Sequence, residues 1–239
     1  YNAKDQRGVF IGYRSGGFGA SAGNTTGNAN TVVGDRAGYV LSSGAVNTVM
    51  GHAAGYELTS GTNNTFIGAD AGRANSPSGS TASGSNVVCI GNNNVSSAFC
   101  KQSFSTGSDA RDKTDVNALT IGLDFIKKLE PITYRWDNRS SYLDLDENPD
   151  QTLADITPDG THKKDQLDVG FLAQKVIEEE DAAGYKLEDE TNILSGSTGE
   201  GLSYTLKYER FVPVLVKAMQ EQQALIEALQ TEVAALKGE

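Results

Sequence analysis

The run Ser108-Asp109-Ala110-Arg111-Asp112-Lys113 holds the residue types best suited to chemistry in this chain. A serine hydroxyl is a poor nucleophile until a base takes its proton. A lysine is that base only once removal from water brings its pKa toward neutrality. On a continuous helix Ser108 and Lys113 would sit about 140° apart, at about 100° per residue. They can therefore meet only across a bend. Asp109 and Arg111 lie between them, and Arg111 either orients Asp109 or repels the lysine proton. Taken alone, a serine five residues before a lysine reads as solvated loop, so the surrounding elements must decide.

Downstream, Leu119, Leu123, Ile126 and Leu129 form one stripe of an expected amphipathic helix that Pro131 stops. An alternating strand is expected over Ile132-Thr133-Tyr134-Arg135-Trp136, then an acidic excursion. A strand-to-helix unit follows at Val169–Val176, a strand at Leu202–Leu206, and a long helix from about Tyr208. In that helix Leu215, Met219, Gln222, Ile226, Leu229, Val233 and Leu236 alternate by four and three, the seam of a coiled coil over about 212–239. Gln222 is its one polar member and a candidate for fixing register.

Upstream, the chain repeats itself. Asn30-Thr31-Val32-Val33-Gly34, Asn47-Thr48-Val49-Met50-Gly51 and Asn64-Thr65-Phe66-Ile67-Gly68 recur every 17 residues, each followed by Ala-Gly. Looser copies flank them at Val9–Gly12 and Asn86–Gly91. Each apolar unit suits a short strand that glycine ends. So short a unit must stack to bury a face, and the register excludes a linker that needs no phase. With few apolar residues per repeat, the expectation is a stack of period 17 in which three chains each contribute one wall. Residues 1–107 expressed alone should then aggregate or stay unfolded. The pattern resembles the repeats of phage tail fibres and of trimeric bacterial adhesin heads over residues 8–94.

Composition divides the chain at the same place. Residues 1–107 carry 19 of the 27 glycines and a nearly balanced charge, whereas 108–239 carry the acidic excess behind the net charge of −11. A pI near 4.7 argues against partners such as nucleic acid or anionic membrane, and no apolar run is long enough to span a bilayer. A chain opening on Tyr1 reads as a piece of something longer. Cys89 and Cys100 make neither a disulfide framework nor a zinc site. The acidic run Asp144–Asp150 lacks the glycine and glutamate of a calcium loop. His52 and His162 stand alone, and Glu178-Glu179-Glu180-Asp181 reads as a charged helix end. No metal and no cofactor is expected.

The order of blocks after residue 107 resembles the intramolecular chaperone auto-processing domain at the C-termini of phage endosialidases and tail spikes. Ser108, Asp109, Arg111 and Lys113 match that family's opening. Pro131–Trp136 match its strand, and Gly170–Val176 match its turn, with Lys175 where glutamate is usual. Tyr208–Glu221 match its closing block. The resemblance implies an N-terminal all-β trimeric repeat stack over 1–107. It also implies an α+β chaperone domain over 108–239 ending in a parallel trimeric coiled coil. Ser108 and Lys113 would be the catalytic dyad of a serine endopeptidase that cuts its own chain once. The Ser108 hydroxyl can reach the Gly107 carbonyl through a five-membered ring, so Gly107–Ser108 is the first choice of bond. Ser108–Asp109 stays open if a neighbouring chain supplies the nucleophile. The partners implied are two further copies in a homotrimer, upstream fibre or tail proteins, and a host surface receptor or glycan for the parent fibre. The location implied is the virion, with the chaperone part released in the host cytoplasm. An uncleaved trimeric tip is the alternative. An adhesin head ranks third, since it should precede a membrane-anchor barrel and the sequence stops at Glu239.

Overall fold

The computed structural model describes residues 7–17, 26–144, 147–148, 151–198 and 203–238. Leu145, Asp146, Pro149 and Asp150 of the acidic run, with Tyr1, Leu202 and Glu239, lie outside the described residues. By their contacts the residues form two compact units. One comprises Tyr1–Ala98, Arg135–Leu167 and Thr198–Ser203; the other comprises Phe99–Tyr134, Asp168–Ser197 and Tyr204–Glu239.

The first unit is a parallel β-solenoid. Strands β1 (Val9–Ile11), β2 (Thr31–Val33), β3 (Thr48–Met50), β4 (Thr65–Ile67) and β5 (Val88–Ile90) form one sheet in chain order. Thr31 pairs with Thr48 and Thr48 with Thr65, so equivalent residues of successive coils stack. The middle residue of each strand points inward. Val32, Val49, Phe66 and Cys89 are buried there with Ala37, Ala54, Ala71, Leu41 and Leu58. Each fully buried Val, Leu or Phe contributes about 1.5–3 kcal/mol.

This filled interior corrects the expectation that too few apolar residues exist for a single-chain core. Small Ala side chains from the turns meet the strand residues, so a narrow coil closes on itself. Polar groups complete the interior. Asn30, Asn47 and Asn64 are buried at 1% exposure, one above another. The Asn47 side chain donates to Asn30 Oδ1 at 3.0 Å and to the Gly61 carbonyl at 2.9 Å, while its own Oδ1 accepts the Asn64 amide at 3.0 Å. The turn after each strand needs glycine. Gly34 has φ +139°, and a Cβ there would lie 2.3 Å from the Gly51 carbonyl oxygen. At the last coil, Asn93 donates to Ser140 Oγ at 2.9 Å and its carbonyl accepts from Asn138 at 3.3 Å. The excursion after Tyr134 thus ties back to the solenoid.

The second unit is α+β. Helix α1 is a single turn, Leu123–Ile126, instead of the longer helix expected from Leu119 to Leu129. Gly122 sits at φ −156° and ψ −127°, outside the helical region, and Thr120 and Gly122 are weak helix formers. The core takes Ile121 and Phe125; Leu119, Ile126 and Leu129 pack only partly against it. Strand β6 (Ile132–Tyr134) stops before Arg135 and pairs antiparallel with β7 (Asp168–Gly170). Helix α2 spans Ala173–Ala182, and β8 (Ser195–Thr198), which the sequence reading lacks, pairs with β9 (Ser203–Leu206). A 3₁₀ turn at Tyr208–Arg210 leads into helix α3, Phe211–Lys237. Its Phe211, Val214 and Ala218 face the core with Val176 and Leu194. The stripe Leu215, Met219, Gln222, Ile226, Leu229, Val233 and Leu236 is exposed.

Candidate functional site

The segment that carries Ser108 bends as the chemistry requires. A 3₁₀ turn spans Ala110–Asp112, and Asp109 caps it by accepting the Arg111 amide at 2.9 Å. A capping aspartate satisfies an amide that the short turn leaves open. The turn closes where the Lys113 amide donates to the Ala110 carbonyl at 3.3 Å. It brings Lys113 Nζ to 2.6 Å from Ser108 Oγ, with the ammonium donating to the hydroxyl oxygen.

Arg111 is committed to Asp109. Its Nη2 donates to Asp109 Oδ2 at 2.6 Å, and its Nε donates to Oδ1 at 3.0 Å. These bonds hold the Asp109 carboxyl below the usual carboxylate range and raise the Arg111 guanidinium above its own. Of the two roles open in the sequence, the orienting one matches this geometry. Around Gly107 there is open space, with no atom within 4 Å of where a side chain would begin. Residues 101–118 are exposed, so nothing in the described chain removes water from the pair.

The next element, α1, is held by residues that sequence reasoning did not single out. Glu221, on α3, accepts the Leu123 amide at 2.6 Å and pairs with Lys217 at 2.8 Å. The bond from Lys217, then that from Leu123, lowers the Glu221 pKa. A side chain at Gly122 would strike the Glu221 carboxylate, 2.3 Å from its Oε2. Glycine is required there by that close approach. Glu221 closes the final resembling block, which was the available signal.

Glu180 corrects the reading of Glu178–Asp181 as a charged helix end. It is wholly buried. Its Oε1 accepts the amides of Ile193 and Leu194 at 2.9 and 2.7 Å, and its Oε2 accepts that of Ser195 at 3.0 Å. A carboxylate leaves water here because three fixed donors replace its hydration. Lys175 is exposed and pairs with Glu178 at 2.7 Å. Tyr208 accepts the Phe171 amide at 3.2 Å, and Phe171 stacks on Phe211 at 5.5 Å. Cys89 and Cys100 are both free thiols.

A family model described as the chaperone of endosialidase, peptidase S74, matches residues 108–185. The match opens on Ser108 and ends before β8, covering about a third of the chain. No curated protein matches the chain, and no solved structure does. Residues 108–185 are therefore a chaperone domain of the peptidase S74 type, standing downstream of a β-solenoid repeat region.

Proposed function

We propose that this chain is the C-terminal part of a phage tail fibre or spike whose chaperone part assembles three copies and then cuts itself free. The observation that carries the cleavage is the 2.6 Å approach of Lys113 Nζ to Ser108 Oγ. In the resting form the ammonium is the donor. Loss of its proton reverses that bond, and the amine then accepts from the hydroxyl as a general base.

The chemistry balances on the residues present. Oγ of Ser108 attacks the Gly107 carbonyl carbon while Lys113 takes the hydroxyl proton. The C–N bond to Ser108 breaks, its nitrogen takes that proton, and an ester links Gly107 to Oγ. Water then hydrolyses the ester, leaving a carboxylate on Gly107 and a free amino group on Ser108. Ser108 and Lys113 are the catalytic pair in this reading; Asp109 and Arg111 are positioning residues.

The exposed pair favours completion by assembly. A lysine in water keeps its proton near neutral pH, whereas burial against another chain disfavours the charge. The exposed seam on α3 supports a parallel homotrimer, since an apolar stripe of six such residues about one glutamine has no cover among the described residues. This reading places the fibre part in the virion and the released chaperone in the host cytoplasm, with a surface receptor or glycan as the parent fibre's target. The same exposure supports a second reading, a permanently attached trimeric tip in which the pair is inert.

A denaturing gel time course on the purified chain separates them. Two pieces meeting near Ser108 are expected, and both Ser108→Ala and Lys113→Ala should leave one chain of 25.3 kDa. Processing of either variant at the wild-type rate rejects the dyad; an intact wild type supports the permanent tip.

A further inference from the structure

The outward face of the solenoid sheet has no role in the solenoid's own core. The middle residue of each strand points inward, so the first and third point out. The third positions stack as Ile11, Val33, Met50, Ile67 and Ile90, and the first positions as Val9, Thr31, Thr48, Thr65 and Val88. Ile11, Ile90 and Val88 are 58%, 66% and 70% exposed, and Val9, Met50 and Ile67 are 48%, 45% and 40% exposed. No charged residue occurs in any of the five strands. Both signs appear in the turns that follow them, at Arg14, Asp35, Arg36 and Asp70. An uncharged apolar strip beside a turn row of mixed charge is the anatomy of a protein interface.

Resting on the homotrimer reading above, we infer that this strip is where the solenoids of sibling chains pack, in register, and that a second copy of the chain is its occupant. Strands in a parallel stack recur every 4.8 Å or so, and a second copy offers apolar rows at that same spacing. Asp70 is paired with Arg73 of its own chain at 3.2 Å, but Asp35, its side chain 43% exposed, can face the exposed Arg14 of another copy. Size sets the order of events. Five strands of three residues cover about 10 Å by about 24 Å, far short of the roughly 800 Å² that each partner buries in a stable complex. The strip does not recruit copies from solution. It closes once another part of the chain has raised their local concentration, and the repeating rows then select the register.

Cross-linking in the full chain tests this, on a Ser108→Ala, Cys100→Ser background that stays intact and leaves only the buried Cys89 as native thiol. Met50→Cys, on the strip, is compared with Ser60→Cys, exposed in the turn between β3 and β4. Each is treated with a short bifunctional maleimide, and oligomeric state is read by sedimentation equilibrium. The expected result is a trimer for both, with covalent joining at least tenfold greater for Met50→Cys. A trimer in which Met50→Cys joins no better than Ser60→Cys overturns the strip and leaves the homotrimer standing. A monomer overturns both. In a second variant, Met50→Glu with Ile67→Glu, the trimer should persist while its repeat segment becomes protease-sensitive. Unchanged resistance of that segment counts against the inference.

Discussion

Glu221 Oε2 accepts the amide of Leu123 at 2.6 Å, across 98 residues of sequence. One carboxylate on the terminal helix therefore caps the short turn of α1, the next element after the Ser108–Lys113 bend. A four-residue helix has almost no stability of its own, so its place depends on this cap and on burial of Phe125.

Glu221→Ala should lower the thermal midpoint of the Ser108→Ala chain more than Glu221→Gln, which keeps an acceptor for the Leu123 amide. The pH dependence has a definite sign. The folded pKa lies below the usual 4.5, so the carboxylate's contribution is present above 4.5 and disappears as pH falls through the lowered folded value. The gap in midpoint between wild type and Glu221→Ala should be constant near neutrality and narrow below about pH 4. A gap that widens on acidification contradicts the assignment.

Glu180→Ala leaves the amides of Ile193, Leu194 and Ser195 without their acceptor inside the core. An unpaired buried donor costs about 1–3 kcal/mol, so the loss should be on the order of 3 kcal/mol or more in denaturant unfolding. Glu180→Gln retains one oxygen and should fall between. A loss below about 1 kcal/mol, within the range of an ordinary surface substitution, shows that water replaces the carboxylate.

Asn47→Ala removes two donated bonds and one accepted bond from the solenoid interior. A cost of about 2–4 kcal/mol is expected, against less than about 0.5 kcal/mol for the outward Thr48→Ala. Equal effects on unfolding of the repeat segment would remove the asparagine ladder from the account.

What the sequence showed depends on whether a feature is periodic. The solenoid strands announce themselves because Thr-Val-Val, Thr-Val-Met and Thr-Phe-Ile recur with their glycines. The seam Leu215 to Leu236 is periodic too, and it is distinct from the inward Phe211, Val214 and Ala218. Burial of Glu180 has no local signature, because its partners lie 13 to 15 residues downstream. The stripe from Leu119 to Leu129 misled because its spacing is helical while the backbone at Gly122 leaves the helical region. The single-chain core was missed because an alanine in a turn contributes nothing to strand patterning, although Ala37, Ala54 and Ala71 are fully buried.

Arg111→Ala tests the turn that joins the proposed pair. The variant loses the guanidinium bonds to Asp109 but keeps the cap to the Arg111 amide, so the bend loosens without disappearing. Self-cleavage should slow by about tenfold, since small misplacements of reacting groups cost one to two orders of magnitude. Arg111→Lys should recover only part of the rate, because an ammonium cannot reproduce the two-point grip. If Arg111→Ala is as dead as Ser108→Ala on the same gel, Arg111 acts in the chemistry itself.

The filled solenoid core changes what the chaperone has to do. Its stacked partners are mostly 17 to 23 residues apart, so closing one coil on the next carries a modest entropic cost. Residues 1–107 alone should therefore gain β structure as separate chains, contrary to the expectation drawn from a core shared by three. Association is the step they cannot make, because the outer strip is small. Alone, they also lack Asn138 and Ser140, which hold the last coil at Asn93. Fragment 1–107 should show β-type circular dichroism, sediment as a monomer at micromolar concentration and lose its last coil first to protease. The same residues released by cleavage from the full chain should remain a trimer that resists protease, because the chaperone has already set three copies side by side. If the isolated fragment forms that resistant trimer unaided, the chaperone role fails, and the C-terminal part is better read as a permanent cap.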